Sequence, residues 1–190
     1  MKINSDHIKN FSKNGAVLLK GAFCEFVEDA QNAIEENIKN PSWRERTYKP
    51  DDDGQAFFQD YVVWNKFDGY RNLVKNSKMA SIAAKLMNSN TARIFHDHIL
   101  VKEPGNSVVT PWHQDQPYYL CEGEQTISFW VPLDYIPRER TIRSPPLGLA
   151  VVETLDGCVW HICFAEEIAP QSTDTPWCLA KKRTASSAHW

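Results

Sequence analysis

The sequence predicts an α+β domain, with helices and short strands mixed in its first ninety residues and a β-sandwich or barrel after them. Three observations carry this. Apolar residues recur at helical spacing in two stretches before residue 90. From residue 91 the pattern changes to short β-type segments. Helices followed by strands point to α+β rather than to alternating βαβ units. A chain of 190 residues is one domain, or one domain with a short appendage, large enough to bury a sizeable core.

The elements follow in chain order. Ala16-Val17-Leu18-Leu19 is a short apolar run between Gly15 and Gly21 and predicts a strand. Phe26, Ala30, Ile34 and Ile38 recur every four residues among Glu25, Glu28, Asp29, Glu35 and Glu36, which predicts an amphipathic helix ended by Pro41. Its acidic first turn suits the positive end of the helix dipole. Residues 49–55, KPDDDGQ, read as a loop. Ser77 as N-cap, then Met79, Ile82, Ala83, Leu86 and Met87 on one face, predict a second helix. Residues 92–101, ARIFHDHILV, alternate as a strand, and Pro104-Gly105-Asn106-Ser107 turn. Residues 126–133, TISFWVPL, predict another strand, with Pro132 near its end. Val151-Val152 and Cys158-Val159-Trp160 flank Asp156-Gly157, the sequence signature of a β-hairpin.

Composition narrows the function. The chain is 42% apolar and 24% charged, with a net charge of −3. That balance argues against a dedicated nucleic-acid or anionic-membrane binder. No run approaches the ~20 apolar residues of a membrane span, and residues 1–14 lack the apolar stretch of a secretion signal. Five cysteines without zinc-finger spacing read as reduced thiols of a cytoplasmic protein. Seven tryptophans suit a β-rich core with an aromatic-lined cavity.

The chemistry concentrates in residues 110–119, TPWHQDQPYY. On a strand, side chains at i and i+2 leave the same face, so His113 and Asp115 would converge on one point. A histidine from a distant strand would complete a 2-His-1-carboxylate triad, which suits Fe(II) with open coordination positions. A bare H-x-D is common, and most instances are surface or loop residues satisfied by water. His96-x-His98 has the spacing of a metal pair, and of a polar pair on a strand beside a site.

The sequence resembles the phytanoyl-CoA dioxygenase (PhyH) family of Fe(II)/2-oxoglutarate-dependent oxygenases. The resemblance rests on ordered pieces between about residues 8 and 139: Phe11 with Asn14-Gly15-Ala16-Val17-Leu18, residues 93–98 (RIFHDH) with 101–105 (VKEPG), residues 111–119 (PWHQDQPYY), and residues 128–134 (SFWVPLD). It implies a double-stranded β-helix (jelly-roll, cupin-like) core with the N-terminal helices packed outside, incomplete at its C-terminal end. It implies Fe(II) as metal, held by His113 and Asp115, and 2-oxoglutarate as co-substrate. It implies Trp130 beside the 2-oxoglutarate pocket and His98 near a position lining it. Trp130 read as a residue alone is equally a core aromatic. The carboxylate of Asp115 favours hydroxylation of a small organic substrate, or a related oxidation, over halogenation, because halogenating relatives lack it.

The resemblance stops after Arg138-Glu139. The family continues with a third iron ligand, a histidine, and an arginine that pairs with the distal carboxylate of 2-oxoglutarate, a task suited to its planar fork. His161 is the best candidate for that ligand, on a strand with Val159 and Cys163, and reads otherwise as a histidine packed beside the hairpin. No arginine follows it at about ten residues; Lys181, Lys182 and Arg183 read as a solvated run, and His189 lies next to the terminus. Residues 1–139 are thus the N-terminal part of a PhyH-like domain and residues 140–190 a diverged, truncated or frameshifted part. One explanation is a compact oxygenase using His161 and a basic residue from 181–183. The other is a tail that is not the family's own, leaving a non-catalytic member. The second predicts that another reading frame past codon 140 restores a Gly-Ser-His segment and a later His and Arg. The abrupt loss of pattern favours it, and the Asp156-Gly157 hairpin signal counts against it.

Overall fold

The computed structural model describes residues 2–49, 55–103, 106, 115, 118–119, 125–134, 149–151 and 158–165. The chain opens with helix α1 (Ser5–Asn14). Asn4 caps it by a reciprocal pair: His7 N–H donates to Asn4 Oδ1 at 2.9 Å, and Asn4 N–H donates to His7 Nδ1 at 3.2 Å. Gly15 ends it at φ 71°, a left-handed conformation that glycine adopts without penalty, with its N–H on the Phe11 carbonyl. Strand β1 (Ala16–Leu18) follows, as its apolar run predicts.

Helix α2 spans Val27–Lys39 after one 3-10 turn at Cys24–Phe26. Its buried face is Ala30, Ala33, Ile34 and Asn37, while Ile38 is 42% exposed. The expected stripe is therefore corrected at its end. A spacing of four overshoots the 3.6-residue turn by about 40° each step, so Ile38 has rotated about 120° from Phe26. Strand β2 (Phe57–Tyr61) and helix α3 (Asp68–Asn76) come next, neither marked by a strong pattern. Helix α4 (Met79–Leu86) buries the expected Met79, Ile82, Ala83 and Leu86. Its cap differs from the expectation: Lys78 is the backbone N-cap, and Ser77 Oγ accepts from Met79 N–H at 3.2 Å.

Strands β3 (Arg93–Lys102), β4 (Thr126–Pro132), β5 (Leu149–Val151) and β6 (Cys158–Ala165) complete a six-stranded sheet of order β1-β5-β4-β6-β3-β2. The β2–β3, β3–β6 and β6–β4 pairs are antiparallel, and β5 runs parallel to both β4 and β1. The predicted hairpin does not form. β5 and β6 flank Asp156-Gly157 in sequence, but β4 lies between them, pairing with β6 on one edge and β5 on the other. Strand propensity on both sides of a turn signal does not dictate that the two strands meet, and here the longer β4 ladder takes β6. The Asp156-Gly157 turn, most of the 49–55 loop and most of the 104–107 turn lie outside the described residues.

One face of the sheet is covered by helices. Ile99 and Val101 of β3, Ile127, Phe129 and Val131 of β4, and Ile162 and Phe164 of β6 share one apolar cluster with Ala30 and Ile34 of α2, Leu73 of α3 and Ile82 of α4. Gln31 of α2 donates through Nε2 to the Leu133 carbonyl at 2.7 Å and to Asp134 at 3.3 Å, tying that helix to the end of β4. Residues of opposite parity, including His96, His98, Ser128, Trp130 and Cys163, therefore belong to the other face. This is a mixed α+β fold with a largely antiparallel sheet. Of the second sheet that a jelly roll adds, nothing is among the described residues. No helix among them is long and apolar enough to cross a membrane.

Candidate functional site

Register places three of the sequence-predicted residues, His98, His161 and Trp130, in one row with Tyr61 on the face opposite the helices. Tyr61 of β2 stands opposite His98 of β3, His98 opposite His161 of β6, and His161 opposite Trp130 of β4. Two strand spacings separate His98 from Trp130 along this row, about 10 Å of backbone. The His98 ring stacks on Tyr61 with centroids 4.0 Å apart and planes at 21°. His98 and Trp130 are half-buried. Burial raises the Tyr61 hydroxyl above the usual tyrosine range, against the nearby Arg46 charge, which lowers it.

The next row down is His96, Cys163 and Ser128. Here β3 carries a bulge: Ile94 opposes Phe164 and His96 opposes Cys163, so Phe95 is an extra residue. A bulge re-aims side chains at a sheet's working end. Phe95 and His96 both reach Tyr119, at centroid distances of 5.0 and 5.8 Å. Tyr119 Oη lies 3.0 Å from Cys163 Sγ, and Ser128 Oγ lies 3.4 Å from the same sulfur.

Asp115 lies four residues before Tyr119. Its carbonyl accepts from Tyr118 N–H at 2.9 Å, which closes a turn directly before Tyr119. The Tyr119 hydroxyl is pushed well above the usual tyrosine range, first by burial, then by the charges of Cys163 and Asp115. The Asp115 carboxylate thus adds to the rise, after burial and Cys163. Tyr118 points away and is 58% exposed.

His113 lies outside the described residues, as do Lys181, Lys182, Arg183 and His189. Among the described residues no three His, Cys, Asp or Glu side chains form a metal-holding group. The donor types nonetheless suit a divalent iron: the carboxylate of Asp115, an imidazole at the β6 register position of His161 and, in the sequence, the imidazole of His113. An acidic groove between α2 and α3, lined by Asp29, Glu36 and Asp68, is on the helix side and separate from this face. Reading the sequence missed Tyr61, Tyr119 and Cys163. The Tyr118-Tyr119 pair after Pro117 was a signal for one of them; the bulge that gathers Phe95 and His96 carries no glycine to announce it.

Comparison with known proteins adds the following. Residues 11–141 match the model of the family described as Phytanoyl-CoA dioxygenase (PhyH). The structure is similar to that of AviO1 from Streptomyces viridochromogenes Tue57, with a TM-score of 0.59 at 15% identity, covering 88% of this chain and 96% of that one. It is also similar to SnoK from nogalamycin biosynthesis, a non-heme alpha-ketoglutarate-dependent carbocyclase, with a TM-score of 0.58 at 18% identity, covering 90% of this chain and 80% of that one. No curated protein sequence matches the chain.

Proposed function

We propose, for a chain that belongs to the phytanoyl-CoA dioxygenase family, that it is an Fe(II)- and 2-oxoglutarate-dependent dioxygenase that hydroxylates or otherwise oxidises a small organic substrate. The observation that carries this reading is the row Tyr61–His98–His161–Trp130 on one face of the sheet. His113, Asp115 and His161 would supply two imidazole nitrogens and one carboxylate oxygen. Trp130 and His98 would wall the co-substrate pocket of a double-stranded β-helix whose helix-covered sheet is the one described.

When bound, iron with 2-oxoglutarate and O2 supplies a two-electron oxidation of the substrate, with succinate and CO2 as co-products. The chain's own residues bind and orient. The buried Tyr119 hydroxyl stays protonated at any working pH, so it offers hydrogen-bonding capacity without adding charge beside Asp115. Phe95 packs edge-on against the Tyr119 ring and would help keep water from its hydroxyl. A cytoplasmic setting, which keeps iron ferrous and the thiols of Cys24 and Cys163 reduced, suits this reading.

One observation favours a second reading, a non-catalytic or truncated member. The family match ends at residue 141, and no arginine for the distal carboxylate of 2-oxoglutarate is identified in residues 140–190. Strand β6, which lies beyond that match, nevertheless sits between β3 and β4. Anaerobic titration with Fe(II) and 2-oxoglutarate separates the readings. A saturable visible charge-transfer band, lost in the His113→Ala/Asp115→Ala double variant, is expected of the enzyme. Folded protein without a band would establish the non-catalytic reading and turn attention to the coding DNA past codon 140.

A further inference from the structure

The segment that carries Asp115 meets the sheet at Tyr119. The turn closed by Tyr118 N–H on the Asp115 carbonyl leaves the two side chains one turn apart. Tyr119 is held on two sides. Its ring lies edge-on to Phe95, with centroids 5.0 Å apart and planes at 78°, and its hydroxyl is 3.0 Å from Cys163 Sγ. Cys163 is fully buried on β6, between β3 and β4, and Ser128 Oγ approaches the same sulfur. The anchor is thus a fixed point of the central ladder, and the bulge at Phe95 is what brings the aromatic wall to it.

We propose that Tyr119, latched to Cys163 and wedged against Phe95, is a positioning residue that fixes the turn presenting the Asp115 carboxylate to the metal. This rests on reading Asp115 as a metal ligand. A ligand on an irregular segment must be ordered before it binds, and that cost falls on affinity unless the fold has already met it. The latch would meet that cost before the metal binds.

The test is calorimetric titration of the full chain with Mn(II), anaerobically and without 2-oxoglutarate, beside the metal-free melting temperature of each variant. Loss of one hydrogen bond's net contribution corresponds to about a three- to ten-fold rise in Kd. Tyr119→Phe and Cys163→Ala are each expected to show that rise. The double variant is expected to be no weaker than Tyr119→Phe alone, because removing the hydroxyl already removes the contact with Cys163. Cys163→Ser, which keeps a hydrogen-bonding partner, is expected to recover most of the affinity. Asp115→Asn is the reference and is expected to lose binding. If Tyr119→Phe and Cys163→Ala bind Mn(II) as the parent does while Asp115→Asn does not, the latch is wrong and the ligand stands. If Asp115→Asn binds normally, the ligand assignment itself falls. A lowered melting temperature with unchanged Kd would make Tyr119 structural only and overturn the proposal. Should Tyr119→Phe not fold, Cys163→Ala against Cys163→Ser decides.

Discussion

The imidazole of His98 lies flat on the ring of Tyr61, with centroids 4.0 Å apart and planes at 21°. Register alone would bring these residues opposite each other; stacking fixes which way the imidazole faces. The far side of His98 is thereby turned towards the β6 position of His161 and, beyond it, Trp130.

Tyr61→Leu tests this pairing. An aromatic contact of this kind is worth about 0.5–1.5 kcal/mol beyond its buried area. With His98 lining the co-substrate pocket, its loss is expected to weaken 2-oxoglutarate binding by about three- to ten-fold. The readout is the rise in melting temperature that 2-oxoglutarate produces with metal present. Tyr61→Phe keeps the ring and is expected to keep the rise. An undiminished rise in Tyr61→Leu would remove His98 from the pocket.

Asp60 is the polar keystone between α2 and β2. Its fully buried carboxylate accepts from Asn37 Nδ2 at 2.7 Å, Ser42 N–H at 2.7 Å, Ser42 Oγ at 2.5 Å and Tyr61 N–H at 2.8 Å. Asp60→Ala removes the acceptor and leaves buried donors behind, at a cost of about 3 kcal/mol or more. The expected result is a lower urea midpoint with an unchanged slope. A loss under about 1 kcal/mol would mean that water replaces the carboxylate without penalty.

How much of this was legible in the sequence depends on the range of the interaction. β3 was legible because a half-buried strand writes its alternation into consecutive residues, β4 because it is a short run of strand-forming residues, and α4 because its buried face repeats locally. Ile38 was misread because four-residue spacing drifts off a helix face. The 156–157 turn was misread because strand pairing is a contest among all strands, and β4 is no local competitor. α1 was not read at all: its ends are well capped by Asn4 and Gly15, but it buries none of its residues and so has no apolar stripe. In the site, H-x-D was legible as chemistry. The Tyr119–Cys163 contact spans 44 residues and depends on a bulge, so no local pattern encodes it.

Gly69→Ala inverts an ordinary expectation. Within a helix, alanine is normally favoured over glycine by about 1 kcal/mol. At Gly69 of α3 a Cβ would stand 1.9 Å from the Asp29 carbonyl oxygen and 3.0 Å from Ala33 Cβ of α2. Backbone cannot yield as a side chain tip can, so the two helices must separate. Destabilisation of about 3 kcal/mol, or failure to fold, is expected from chemical denaturation. A gain in stability would show that α3 does not pack this closely on α2.

Alkaline pH should be destabilising, and the sign follows from two phenols. Tyr61 and Tyr119 both have raised pKa values in the folded state, chiefly through burial. Unfolded tyrosine ionises near pH 10. Above that pH the unfolded chain releases protons that the native chain holds, so stability is full below about pH 10 and falls as pH rises beyond it. Thermal melts between pH 8 and 11 are expected to show this fall, flattened in Tyr119→Phe. In an absorbance titration at 295 nm, Tyr61 and Tyr119 are expected to ionise at higher pH than exposed tyrosines such as Tyr48 and Tyr118.

Val62 follows Tyr61 at φ 54°, a left-handed conformation that is costly for a β-branched residue, about 1–2 kcal/mol. Its N–H donates to the Asp97 carbonyl at 2.9 Å, and the next N–H, that of Val63, donates to Asp97 Oδ2 at 3.2 Å. These bonds turn the chain sharply at the end of β2 and hold the strain in place. Asparagine tolerates the same backbone and keeps the N–H, without the extra unfolded-state freedom that glycine would add. Val62 is only half-buried, so little packing is lost. Val62→Asn is therefore expected to raise stability by about 1 kcal/mol, or roughly 2–4 °C in melting temperature for a chain of this size. Because the Asp97 bonds survive, Tyr61 should remain stacked on His98, and the 2-oxoglutarate-dependent thermal shift should match the parent's. A lower melting temperature would show that the Val62 side chain contributes more than its backbone strain costs. A higher one with a diminished 2-oxoglutarate shift would show that the strain itself holds Tyr61 in position against His98.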